Sequence, residues 1–111
     1  MANSFVNKKV DLTSTSATVL YTVPDASTAI IKSILVSEDS GNADTITVTI
    51  TDTSDAVFSL FKTKAISANA TTELLTAPLV LQQKEVLKVT AATANRLHVV
   101  LSALESKPRE V

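Results

Sequence analysis

The sequence predicts an all-β fold: one antiparallel β-sandwich of about eight short strands, with jelly-roll and immunoglobulin-like topologies both open. Three observations lead there. In Thr45-Ile46-Thr47-Val48-Thr49-Ile50-Thr51 every second residue is a β-branched aliphatic and every other one is threonine. Alternate side chains of a strand point to opposite faces, so Ile46, Val48 and Ile50 line a core while the threonine hydroxyls face water, whereas helical spacing would scatter them. The same alternation recurs along most of the chain. Clusters of turn-forming residues also separate the apolar segments at the short intervals typical of sandwiches and barrels.

Taken in order, a strand over 5–12 ends at the turn formers of 13–16, and a second over 17–23 is closed by Pro24-Asp25. A third over 28–37 runs into Glu38-Asp39-Ser40-Gly41-Asn42-Ala43-Asp44, which holds the only glycine of the chain. The alternating strand follows over 45–51 and is bounded by Thr53-Ser54-Asp55. A strand over 56–63 precedes Ala68-Asn69, and one over 71–81 is interrupted at Pro78, which has no amide to donate. Strands over 86–91 and 96–104 complete the set, parted by the turn of 92–95. With glycine this scarce, turns that need positive φ fall to Asn42, Asn69 and Asn95, or the turns avoid that geometry.

Two strands are apolar on both faces. Leu97, Val99, Leu101 and Ala103 share one face of the last strand, but Val100 and Leu104 sit on the other. In Val57-Phe58-Ser59-Leu60-Phe61-Lys62, simple alternation places Phe58 and Leu60 on one side and Val57 and Phe61 on the other. A two-layer sandwich buries both sets only if a bulge or a loop covers one of them. The alternative is a homo-oligomer, with a trimer favoured, whose contact uses Val57, Phe61, Val100 and Leu104.

Composition narrows the functional classes. A chain of 111 residues fits one domain, expected over 1–105, with 106–111 as a flexible charged tail. There is no cysteine, hence neither a disulfide framework nor a thiolate metal site. A net charge of -1 without any basic block offers no footprint for nucleic acid. The first residues lack the layout of a secretory signal, and no apolar run approaches the roughly 20 residues of a membrane-spanning helix. Nucleic acid and membrane are therefore not expected partners. Yet 45% of residues are hydrophobic and the mean hydropathy is +0.26, which is apolar for so small a chain and is consistent with a subunit interface.

Catalytic motifs are missing from the pattern, and neither an enzyme nor a bound cofactor is expected. His98, the only histidine, lies within a strand with Arg96 on the same face, where a cation disfavours protonation. One glycine builds neither a nucleophile elbow nor a phosphate-cradling loop. The oxygen-rich loop from Glu38 to Asp44 invites a calcium reading, but its spacing departs from that of a calcium-binding loop, and an ordinary turn is expected. Asn69-Ala70-Thr71 matches a glycosylation acceptor and is likewise read as a turn. A carbohydrate platform has few aromatics to draw on: no tryptophan, one tyrosine at Tyr21, and three phenylalanines.

The runs Val19-Leu20-Tyr21-Thr22-Val23-Pro24, Thr28-Ala29-Ile30-Ile31-Lys32-Ser33, Pro78-Leu79-Val80-Leu81 through Glu85-Val86-Leu87-Lys88-Val89, and Leu97 to Glu105 resemble small virion proteins of tailed bacteriophages, notably those infecting marine cyanobacteria. The likeness spans 17–105, and the chain departs from many of that group in placing Asp25-Ala26 and Ala43-Asp44 where glycine is usual. The resemblance implies an all-β accessory or structural component of the virion, assembled in the host cytoplasm. Its implied role is a head decoration or cement protein packed against its own copies or the major capsid protein. A neck, tail or fibre component ranks second, and a small non-viral module binding carbohydrate or peptide third.

Overall fold

The computed structural model describes residues 2–107. Nine strands form in chain order: β1 (Ala2–Asp11), β2 (Thr18–Thr22), β3 (Thr28–Glu38), β4 (Asp44–Thr51), β5 (Val57–Ile66), β6 (Thr71–Glu73), β7 (Leu79–Leu81), β8 (Val86–Ala91) and β9 (Leu97–Lys107). No helix occurs among the described residues, and every strand pair is antiparallel. Pro78 splits the expected strand over 71–81 into β6 and β7, which is why nine strands stand where about eight were expected.

Sheet A has the order β1-β9-β3-β6, with β7 also on β3, and sheet B the order β2-β8-β4-β5. Counting β6 and β7 as one interrupted strand, the chain is a long hairpin rolled up on itself. β4 pairs with β5 at its tip, β3 with β6 and β7, β2 with β8, and β1 with β9 at its open end. That is the jelly-roll arrangement, so the topology left open by the sequence is settled in its favour.

The core lies between the sheets. Ile31, Ile34, Val36, Leu97, Val99 and Leu101 of sheet A face Ile46, Val48, Leu87 and Val89 of sheet B, all at 0% exposure. In β4 the expected alternation holds, with Ile46 and Val48 sealed and Ile50 at the rim. β2 departs from alternation: a register shift between Val19 and Tyr21 turns the consecutive Leu20 and Tyr21 both inward. The buried Tyr21 hydroxyl then donates across the sandwich to Glu105 Oε2 of β9 at 2.5 Å. Burial pushes this phenol well above its usual range, and the hydrogen bond to the Glu105 carboxylate and its charge push the same way.

Turn geometry follows only part of the expectation. Asn69 (φ 57), Asn95 (φ 65) and Gly41 (φ 83) take left-handed conformations, while Asn42 does not. Ala26 (φ 56), Asp55 (φ 66), Lys84 (φ 67) and Thr63 (φ 49) do so as well. The Ala26 amide is held by Gln83 Oε1 at 2.8 Å and Asp25 Oδ1 at 3.0 Å. At the other end, β9 continues two residues past the expected start of the tail, because Ser106 and Lys107 pair with Asn3 and Ala2 of β1. The remainder of the expected tail, 108–111, lies outside the described residues.

Candidate assembly surface

β9 sits second in sheet A, between β1 and β3, so its outward side chains fall in the middle of an open face. Pairing register arranges that face in rows. Phe5 of β1 is opposite Leu104, Leu104 is opposite Ile30, and Ile30 is opposite Val80 of β7. Their chain neighbours Ala103, Ala29, Ile31 and Leu81 are buried, which fixes these four side chains on the outer face. The row is apolar from edge to edge and, at about 4.8 Å per strand, roughly 14 Å across. Its ends are the most open, Phe5 at 84% exposure and Val80 at 53%.

The next row, Asn7–Ser102–Ser33, is small and polar, with the exposed Lys32 of the β3 register shift beside it. Beyond it, Lys9, Val100, Leu35 and Glu73 make a row with an apolar centre and one charge of each sign at its ends. The expected contact residues Val100 and Leu104 thus share one face with Leu35, Ile30, Phe5 and Val80, none of which was singled out in advance. Reading single strands could not find them, since the rows exist only once strands distant in sequence are paired.

Val57 and Phe61 lie on the other sheet, on its edge strand β5, and are not brought together with Val100 and Leu104. Phe61 also departs from its expected side. Two register shifts in β5, around Leu60 and around Lys62 and Thr63, each add one residue opposite β4. The first turns Phe61 inward opposite Val48, on the same side as Phe58 opposite Ile50, and Phe61 packs on the rim of the core. Val57 stays outward, opposite Thr51 and 62% exposed. Between β5 and the β6–β7 segment lies an open apolar depression of about 300 Å³, lined by Leu60, Phe61, Leu74, Leu75, Pro78 and Leu79 among others.

His98, Glu38 and Asp44 are bound up with the scaffold. His98 Nε2 lies 3.1 Å from Asp11 Oδ1 and its Nδ1 3.5 Å from Asp39 Oδ2. Arg96, expected to flank the ring, instead donates to the Ala43 carbonyl at 3.0 Å. In the oxygen-rich loop from Glu38 to Asp44, the Glu38 carboxylate is 1% exposed and turned inward. It accepts from the amides of Ser40 at 2.8 Å, Gly41 at 3.1 Å and Asn69 at 3.0 Å, and from the Ser40 hydroxyl. Burial pushes this carboxyl up, but the Ser40 hydroxyl and the three amides prevail and hold it at about 2. Asp44 is buried as well and accepts from the Thr93 amide at 3.1 Å. No group of three or more metal-ligating side chains occurs among the described residues.

Neither a protein-family model nor a curated protein matches the chain. Among solved structures, a chain of a Bacillus endospore appendage, from work describing a novel family of disulfide-linked pili, superposes with a TM-score of 0.50 at 12% identity. The match covers 95% of this chain and 88% of that one. At such identity the likeness is one of fold, and it extends over nearly the whole sandwich.

Proposed function

We propose that this chain is a structural subunit that works through the area it buries against copies of itself and neighbouring coat proteins, and that it is not an enzyme. The observation that carries this reading is the apolar row Phe5–Leu104–Ile30–Val80 across the outer face of sheet A, reinforced by Val100 and Leu35. A soluble subunit leaves so continuous a strip open only at a cost in solubility, and covering it yields about 25 cal/mol per Å² before association costs. In the finer form of the proposal the subunit decorates a phage head, docked on the major capsid protein, with a trimer as the closed oligomer. The resemblance of its strands to small virion proteins supports that form.

A second reading, a subunit of an extracellular appendage, is favoured by the fold likeness to the endospore pilus chain. Disulfide linkage is not open to this sequence, which has no cysteine, so its copies would hold together by other contacts. Light scattering on a size-exclusion column tests the shared part of both readings. The wild type is expected to exceed monomer mass as concentration rises from micromolar to millimolar, and Val100→Glu to shift it toward monomer. A wild type that stays monomeric throughout sinks self-association. Negative-stain microscopy separates the two forms: a closed ring or trimer favours the virion subunit, and an open filament the appendage.

A further inference from the structure

We infer that two copies of this chain pair edge to edge through β1, antiparallel about a two-fold axis near Asn7, joining their two A sheets into one. This rests on the self-association reading and adds to the contact through the apolar face a second one, through an edge. The two sheets have four edges, and an edge strand offers a row of unpaired amides and carbonyls that proteins ordinarily blunt. Three of the edges are blunted. β2 has five residues and a register shift, β5 carries two shifts and the left-handed Thr63, and β6 and β7 have three residues each on either side of Pro78. β1 is guarded only by the charges of its second half, and is otherwise regular: ten residues long, without proline or glycine, and paired with β9 at every position from Ala2 to Asp11 with no shift. Among the described residues nothing pairs with its other side.

Charge sets the partner and the direction. Lys8, Lys9 and Asp11 all lie in the second half of the strand, and Asn3, Ser4 and Phe5 in the first half carry no charge. A parallel copy would set lysine against lysine, a destabilising cross-strand pair. An antiparallel copy sets each charged half against the partner's neutral half. Directly opposed residues share a face, so a centre on Asn7 places Lys9 opposite Phe5, Lys8 opposite Val6 and Asp11 opposite Asn3. The 84% exposed Phe5 ring then gains a cation and cover. Shifting the centre to Lys8 would oppose the two Lys8 side chains. In the joined sheet, the Phe5–Leu104–Ile30–Val80 row of one copy continues into the Lys9–Val100–Leu35 row of the other.

Because the sequence lacks cysteine, a single introduced thiol can only link two copies. Across an antiparallel pair the Cα atoms stand about 4.5–5.5 Å apart, within disulfide reach. Asn7→Cys is expected to give a covalent dimer as its major product under mild oxidation, while Val19→Cys on β2 and Val57→Cys on β5 stay largely unlinked. In the unmodified protein, β1 amides are expected to gain protection from hydrogen exchange as concentration rises. If Asn7→Cys stays unlinked while Val57→Cys or Val100→Cys links, the edge contact is wrong and self-association stands. If β1 exchange is independent of concentration and the mass stays monomeric, both fall.

Discussion

Glu38 remains ionised inside the fold because its two oxygens accept from three backbone amides and a hydroxyl drawn from the 38–44 loop and from Asn69. Its carboxyl is held at about 2, against an ordinary value of 4.5. The folded value is the depressed one, so this contribution to stability is complete above the unfolded value, declines as pH falls below 4.5, and is gone once pH passes about 2. Thermal melts should therefore drop in midpoint across that window, and Glu38→Gln should flatten the drop; parallel curves for the two proteins would contradict the assignment. Thr63 is a second residue-scale case, a β-branched side chain at φ 49. Asn tolerates that conformation better, so Thr63→Asn should raise unfolding free energy in urea by about 1 kcal/mol. The acid and the strain were equally illegible in sequence. Glu38 was visible only as one oxygen donor in a polar loop, and its amide partner Asn69 lies a whole hairpin away. Asn69 and Asn95 were legible as left-handed positions because asparagine adopts that conformation readily; Ala26 and Thr63 adopt it only under long-range constraint.

Between β6 and β7, element boundaries are set by side-chain chemistry as well as by Pro78. β3 shifts register between Ile31 and Ser33, and there Glu73 takes the place of a ladder strand. Its Oε2 accepts from the Ile34 amide at 2.8 Å and the Leu75 amide at 3.2 Å, and its Oε1 from the Ser33 hydroxyl. Burial pushes the Glu73 carboxyl up, but the Ser33 hydroxyl and the amides outweigh it and leave it lowered. Glu73→Ala should cost about 1 kcal/mol and speed amide exchange at Ile34 and Leu75, leaving β8 untouched. By contrast, Leu101→Ala, at 0% exposure beside Ile34, should cost about 3 kcal/mol in denaturant unfolding, spread over the whole sandwich. Strand existence was well legible from alternation: β4 and β8 fall within a residue of expectation. β5 was legible as a strand but not in its facing, since each bulge reverses the alternation that follows it and no glycine or proline marks where the bulges fall.

On the scale of the whole molecule, the pairings that decide the topology join the two ends of the chain, β1 with β9 and β2 with β8, and no local pattern records them. That is why sequence led to a sandwich but not to its jelly-roll wiring, and to Val100 and Leu104 but not to the row they belong to. The wiring also determines what kind of force should drive assembly. The face it builds is apolar along Phe5, Leu104, Ile30 and Val80, its charges stand off that row at Lys9, Glu73 and the bulged Lys32, and the net charge of the chain is only -1. Screening therefore has little to act upon. Raising sodium chloride from about 0.05 M to about 0.5 M shrinks the Debye length several-fold, yet the self-association constant should change by less than about threefold. Sulfate should tighten association, because excluded salts strengthen apolar burial, and cooling should loosen it, because that burial is entropy-driven near room temperature. Sedimentation velocity across those conditions is the measurement. A steep loss of association with sodium chloride would move the contact away from the apolar row and onto the charged ends of the face, at Lys9 and Glu73.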